Sequence, residues 1–347
     1  MPFISEIMKY ASLSVVGLDK NTGKTETLNY ILSALKEKKR HVAVTSIGVD
    51  GESIDRVTQT VKPDITLYET MLFTTSEQHY ATRQLLSEVV AINHQRTALG
   101  RLVTARVLRR GETLLSGPAD TKTLQEIIRK HASLGADITL VDGALSRLSL
   151  ASPTVTEALV LTTGAACSAS LRTIISKTTF ACTLIALPEV ENPLKNQLLL
   201  LGKGLFSISE NDNIHDLNIA SSLLFEQHRE RLLQHGRTLY VAGVVNDRLL
   251  QFLRMQKEGK IRLIVEDFTK LFISQEAYDA FIRRGGIIEV LHKANLIAVT
   301  VNPSSPQGYS FPSHIICEAL SLSLQSPVYD VRKIRENFDK SKTANTI

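Results

Sequence analysis

The sequence predicts an α/β protein of two domains, and three observations carry that expectation. An apolar, β-prone run, Leu13-Ser14-Val15-Val16, leads through a glycine-bearing loop into a helical pattern of Leu28, Ile31, Leu32 and Leu35. A second apolar strand pattern, Ile138-Thr139-Leu140-Val141, ends on Asp142-Gly143. From Thr238 onward a further series of short strands alternates with helical stretches. At 347 residues the chain is long enough for two cores. The expected division is a first domain over residues 1–195, a smaller α/β domain over 200–330 and a polar C-terminal tail over 331–347.

The first element sets the chemistry. The loop runs Gly17-Leu18-Asp19-Lys20-Asn21-Thr22-Gly23-Lys24-Thr25-Glu26 between a strand and a helix, which is the context of a P-loop. Gly23 lets the backbone approach a polyphosphate, and successive amides from Gly17 through Asp19, Lys20, Asn21 and Thr22 can form an anion-binding nest. The start of the helix at Lys24, Thr25 and Glu26 adds its dipole. Lys24 is the candidate contact to the β- and γ-phosphates, and the Thr25 hydroxyl is the candidate Mg²⁺ ligand. Lys20 supplies a second cation within the loop.

This loop departs from the usual Gly-x-x-x-x-Gly-Lys-Ser/Thr pattern: it is one residue longer, and Leu18 stands where the first glycine would be. In the form Gly-x-Asp-x-x-x-Gly-Lys-Thr it resembles the loop of dethiobiotin synthetase and its relatives, within the class that includes MinD-type ATPases. That resemblance implies a P-loop NTPase domain with a mainly parallel sheet and helices on both faces. It covers residues from about 10 to about 190.

After basic Lys36, Lys38, Lys39 and Arg40, which suit a helix C-terminus, His41 to Ser46 reads as the second strand. It runs into Gly48-Val49-Asp50-Gly51-Glu52. The resemblance implies an acidic group near Mg²⁺ or its water at this place, so Asp50 is a candidate ligand with Glu52 behind it. A plain turn at Asp50-Gly51 is the alternative. Short apolar runs over residues 64–116 read as strands, with Leu102 to Leu108 as an edge or hairpin strand. Asp120 or Thr121 is placed to cap a helix whose inner stripe is Leu124, Ile127 and Ile128.

The strand ending on Asp142 has the Walker B form, in which a carboxylate at the sheet edge reaches the Mg²⁺ and phosphates. Thr25, Asp142 and Asp50 are thus the candidate metal set, and Lys24, Asp50 and Asp142 the candidate catalytic set. Mg²⁺ keeps several waters, so few protein ligands are expected. Thr156 to Gly164 reads as the next strand, residues 168–177 as a helix and Ala181 to Leu187 as another strand.

In the second series, residues 217–235 read as a long helix, Thr238 to Asn246, Ile261 to Val265 and Leu296 to Val301 as strands, and Gln275 to Arg284 and His314 to Ser323 as helices. Asn246 resembles a strand-end asparagine that contacts adenine in dethiobiotin synthetase-like enzymes, but a turn cap is the stronger reading of it. The loop Asn302-Pro303-Ser304-Ser305-Pro306-Gln307-Gly308-Tyr309 follows a strand, at the edge where α/β sheets bind ligands.

Composition narrows the partners. Net charge is +5 with 22% charged residues and no Trp, and the aromatics do not interleave with Arg96, Arg101, Arg106, Arg109 and Arg110 as a nucleic-acid stacking platform requires. That arginine cluster is a solvated face or a basic docking patch. Cys167, Cys182 and Cys317 form no Cys-x-x-Cys pair, the histidines show no metal spacing, and no Gly-x-Ser-x-Gly elbow is present. No apolar run reaches the ~18 to 20 residues of a membrane span. The expected location is cytoplasmic, without nucleic acid or membrane partners, and self-association is left open.

These features together predict an ATP- and Mg²⁺-binding protein. A closer resemblance is carried by four stretches: Val-Gly-Leu-Asp-Lys-Asn-Thr-Gly-Lys-Thr, Thr-Ser-Ile-Gly-x-Asp-Gly-Glu, Val-Asp-Gly-Ala and Val-Asn-Pro-x-Ser-Pro-x-Gly-Tyr. They look like the P-loop subunit of the lysine 5,6-aminomutase reactivase. That resemblance implies a MutS-like ATPase subunit and the aminomutase as partners, and ATP-driven release of damaged cobalamin as the role. Two other classes stay open: an ATP-dependent carboxylate-activating ligase like dethiobiotin synthetase, and a non-hydrolysing nucleotide switch or scaffold. No Asn-Lys-x-Asp guanine-reading motif is present, which favours adenine.

Overall fold

The computed structural model describes residues 1–48, 64–144, 152–256 and 259–344, with backbone alone for residues 144 and 338–344. Asp50 and Glu52 lie outside the described residues. The chain divides into two compact units. A sheet unit comprises Met1–Ala151, Val155–Ala181 and Leu296–Ile347, and an inserted unit comprises Ser152–Thr154 and Cys182–Asn295.

In chain order the sheet unit runs α1 (Ile4–Ile7), β1 (Ser12–Gly17), α2 (Lys24–Glu37), β2 (Val42–Ser46), β3 (Ile65–Leu67), β4 (Leu72–Ser76), α3 (Glu77–Ala81), β5 (Gln84–Thr97), β6 (Gly100–Thr113), α4 (Thr121–Ser133), β7 (Ile138–Ala144) and β8 (Ala158–Gly164). The boundary falls within α5 (Leu171–Ile185). The inserted unit follows with α6 (Leu194–Leu198), β9 (Gly204–Ile208), β10 (Ile214–Asp216), β11 (Thr238–Ala242), β12 (Val245–Asn246), α7 (Asp247–Arg254), β13 (Arg262–Val265), β14 (Leu271–Phe272), α8 (Gln275–Arg283) and β15 (Ile287–Val290). The chain returns to the sheet unit as β16 (Leu296–Asn302), α9 (Ser313–Leu324), β17 (Val328–Tyr329) and α10 (Val331–Ala344).

The large sheet is ten-stranded, in the order β17-β16-β8-β1-β7-β2-β4-β6-β3, with β5 paired to β6. From β17 to β4 every pairing is parallel, and β6 joins antiparallel to β4, β3 and β5. The protein is therefore α/β with a mostly parallel, mixed sheet. β1 sits near its middle and is buried at every position, as a strand covered on both faces must be. On one face Val15, Leu140 and Val160 pack with Leu28, Ile31, Leu32 and Leu35 of α2. On the other, Val141 packs with Ile47, Leu124 and Val155. Each fully buried Leu contributes about 1.5–3 kcal/mol, so α2 is held mainly by this packing and its first turn is fixed relative to β1.

Helix α4 begins where the sequence indicates. Asp120 caps it, with its Oδ1 accepting the Thr123 amide at 2.8 Å, and Leu124 and Ile127 are buried. The long β5–β6 hairpin carries the arginine cluster. Arg101 there is paired with Glu77 at 2.7 Å, and the Arg110 guanidinium lies over the Tyr68 ring.

The inserted unit holds a five-stranded sheet in the order β10-β9-β11-β13-β15, parallel across β11, β13 and β15. Leu249, Leu250 and Leu253 of α7 and Phe281 of α8 pack against Val241, Leu263 and Val265 on one of its faces.

Four sequence expectations are corrected. The second domain, expected over 200–330, ends at Asn295, because β16 pairs with β8 and not with the inserted sheet. The segment from Val331, expected as a polar tail, begins as helix α10 on the core: Val331 is buried and Ile334 packs there, about one helical turn apart. Ala181 to Leu187 does not form a strand: Ala181 to Ile185 is the last part of α5, in which Ile174, Thr178 and Ile185 keep a helical spacing, and Ala186 and Leu187 follow it before Pro188. Residues 217–235 hold only a 3₁₀ segment, Ser222–Arg231, kinked at His228, and Asn218 takes a left-handed φ of 52 that an α-helix does not admit.

Candidate functional site

The candidate loop leaves β1 at its C-terminal end, between β7 and β8. Its amide at Leu18 donates to the Thr162 carbonyl at 2.9 Å. The buried Thr22 hydroxyl donates to the Asp19 carbonyl at 2.9 Å and stands 3.0 Å from the Thr162 hydroxyl. The Asp19 carboxylate accepts the Lys20 amide at 2.7 Å, which closes the turn. Asn21 (φ 59) and Gly23 (φ 90) take left-handed conformations, so the chain folds back over Gly17 and enters α2. No side chain caps α2 at Gly23. The first-turn amides of Lys24, Thr25 and Glu26 therefore start a helix that lacks the usual Ser, Thr or Asp acceptor, an arrangement suited to an anion.

Asp142 lies two residues before the end of β7, in register with Val15 of β1 and Ser46 of β2. The Lys24 Nζ lies 3.8 Å from its Oδ1. That oxygen is buried and has no hydrogen-bond partner among the described residues. A carboxylate oxygen kept from water without a donor is unfavourable by about 1–3 kcal/mol or more, and such a group marks a place for a cation or a proton donor. Thr25 is in the adjacent first turn of α2. Among the described residues no group of three or more His, Cys, Asp or Glu gathers to hold a metal, so Thr25 and Asp142 are the described members of the candidate set.

The structure thus brings Gly17, Asp19, Lys20, Asn21, Thr22, Gly23, Lys24, Thr25 and Glu26 into one loop and helix start, with Asp142 beside it. Asn246 is elsewhere in the chain's logic: its Oδ1 accepts the Leu249 amide at 3.0 Å and caps α7 in the inserted unit, the turn-cap reading. Two residues at the loop were missed or misassigned from sequence. Thr162, in the strand before Thr163-Gly164, anchors the loop through both its carbonyl and its hydroxyl. Asn302, expected in the second domain, ends β16 opposite Gly164 and donates its Nδ2 to the Asn21 carbonyl at 3.1 Å. The shared signal is position: both lie at or near the C-terminal ends of strands flanking β1 on the same side.

The segment after β8 completes this edge. Tyr309 donates its hydroxyl to the Ala165 carbonyl at 2.9 Å, docking the 302–309 loop there. Burial pushes the Cys167 thiol above its ordinary value. Among the described residues no helix is long and apolar enough to cross a membrane. Comparison with family models, with curated proteins and with solved structures gave no match to this chain.

Proposed function

We propose that this chain is a P-loop ATPase that binds ATP with Mg²⁺ on the Gly17–Thr25 loop. The observation that carries the reading is Lys24 facing, at 3.8 Å, the buried Oδ1 of Asp142, which has no hydrogen-bond partner among the described residues, between an uncapped helix start and the C-terminal half of β7. In this reading the loop amides and the α2 dipole hold the β- and γ-phosphates. Lys24 exchanges its long contact with Asp142 for the phosphates and stabilises charge on the transferred group. Thr25 and Asp142 fit a hard cation through oxygen donors, with Asp50 a third candidate. Mg²⁺, when bound, neutralises phosphate charge. Asn302 and Thr162 keep the loop in shape.

The likeness to the lysine 5,6-aminomutase reactivase supplies a setting for the same site. There the ATP cycle would act with a MutS-like ATPase subunit to exchange damaged cofactor on an adenosylcobalamin-dependent aminomutase, in the cytoplasm. The inserted unit, which carries no catalytic motif among its described residues, is available for such a partner role.

The test is phosphate release from ATP and Mg²⁺ by the purified chain, alone and with the MutS-like subunit and damaged holo-aminomutase. Turnover that rises with the partners and restores aminomutase activity supports the proposal. Tight ATP binding without turnover in every mixture would favour a switch or scaffold. Turnover that requires a small carboxylic acid, with an acyl phosphate trapped by hydroxylamine, would favour a ligase.

A further inference from the structure

Asn302 holds a position that the chain's nucleotide chemistry does not by itself require. It ends β16, a strand separated in sequence from the Gly17–Thr25 loop by most of the protein, yet its side chain is tied to that loop. Its Nδ2 donates to the Asn21 carbonyl at 3.1 Å and its Oδ1 accepts the Ser304 amide at 3.2 Å. A carbonyl can only accept and an amide N–H can only donate, so these two partners fix which way the Asn302 amide points.

The packing is equally close. A Cβ added to Gly23 would stand 3.0 Å from the Asn302 Cβ, and one added to Gly164 would stand 2.1 Å from the Asn302 carbonyl oxygen. Asn302 is thus wedged between the loop and the end of β8, and both neighbours are glycine. One turn further along α2, the Thr27 hydroxyl meets the Thr300 hydroxyl of β16 at 2.9 Å. β16 therefore touches the loop and helix start at Asn21, Gly23 and Thr27.

The loop has a reason to be braced. Asn21 is a non-glycine residue in the left-handed region, and no side chain caps α2. The loop is also one residue longer than the common pattern and has Leu18 in place of its first glycine. A longer loop has more conformations to lose on closing around a phosphate. We infer that Asn302 is a positioning residue: its hydrogen bond to the Asn21 carbonyl holds the Gly17–Thr25 loop in its anion-receiving shape before ligand arrives. Its binding consequence rests on the nucleotide reading above, whereas its effect on the free loop does not.

The experiment uses the full chain as wild type, Asn302→Leu and Asn302→Asp. Leu matches the size of Asn without a donor, and Asp matches its shape but, ionised, cannot donate. Hydrogen exchange at the Leu18 and Thr27 amides, which donate to the Thr162 and Gly23 carbonyls at either end of the loop, is measured without ligand, and a fluorescent ATP analogue with Mg²⁺ is titrated in parallel. Both variants should exchange faster at these amides and bind the analogue about two- to tenfold more weakly, the worth of one neutral hydrogen bond. The loss in Asn302→Asp should shrink as pH falls toward the carboxyl pKa near ~3.9, because the protonated acid regains a donor, while the loss in Asn302→Leu stays constant. A merely structural defect would not give that pH split. Wild-type exchange in both variants, or equal losses at every pH, overturns the inference. If wild type binds no nucleotide, the ATPase proposal fails, and faster exchange in the Leu variant still supports the brace while unchanged exchange sinks it.

Discussion

Lys24 Nζ lies 3.8 Å from Asp142 Oδ1, joining the helix start after the β1 loop to the C-terminal half of the neighbouring parallel strand β7. The contact is longer than the ~2.8 Å of a charge-assisted hydrogen bond, and each side chain is about a fifth exposed. Such a pair is worth about 0–1 kcal/mol. It is therefore too weak to be a structural lock, and a polyanion with a cation can displace it.

Replacing the carboxylate tests its role at once. Asp142→Asn keeps the shape and removes the charge. Turnover of ATP should fall about a hundredfold or more, with affinity for ATP changed by less than about tenfold. Steady-state phosphate release beside an equilibrium titration distinguishes the two. Unaltered turnover and unaltered Mg²⁺ dependence would make Asp142 a strand-end turn residue only.

Gly23 sits at φ 90, with Asn302 where a side chain would go. Gly23→Ala should lower stability by about 1–3 kcal/mol through left-handed strain and the contact with Asn302. Urea unfolding gives the value. A midpoint equal to wild type would mean that the loop adopts another conformation.

His131 is fully buried between the Thr74 and Thr139 hydroxyls, and burial pushes its pKa down to about 3. The folded chain therefore holds it neutral, whereas the unfolded chain protonates it below about 6.5. More protons are bound by the unfolded state in that window, so stability should fall as pH drops from about 6.5 toward about 3. The slope from this group approaches about 1.4 kcal/mol per pH unit. Between pH 6.5 and 5, before carboxylates titrate, His131→Gln should flatten the dependence measured by chemical unfolding. Identical slopes in variant and wild type would contradict the assignment.

At the start of α4, the Thr123 amide and hydroxyl hold the Asp120 carboxyl below its ordinary pKa. Asp120→Ala should cost about 1 kcal/mol of stability at neutral pH. This contribution is present above the unfolded pKa and is lost as pH falls through the lower folded value, so the difference between variant and wild type should narrow in acid. A constant difference down to pH 2 would show that packing, and not the cap, is responsible.

Local patterns in the sequence carried much of the fold. The β1–loop–α2 unit, the Asp142 strand and the Asp120 cap are each encoded by residues adjacent in sequence, and they form as expected. What the sequence hid depends on long-range pairing. Leu296 to Val301 reads as a strand in any setting, and nothing local says that it joins β8 instead of β13 or β15. For the same reason Asn302 was assigned away from the loop that it touches. Val331 and Ile334 showed too short an apolar stripe to reveal that α10 packs on the core. Thr162 is one threonine in a buried strand, and only the parallel register beside Gly17 gives it a role.

The central claim is that Lys24 and its loop bind the phosphates of ATP. The most direct measurement is an equilibrium titration of wild type and Lys24→Ala with a fluorescent ATP analogue and Mg²⁺, with far-UV circular dichroism to check the fold. Lys24 is in the first turn of α2 and is not among the buried residues of that helix, so the variant should keep the wild-type spectrum. Its affinity should fall by about tenfold to a hundredfold, the worth of a hydrogen bond to a charged group. Equal affinity in the two proteins, or no saturable binding in wild type, would contradict the account.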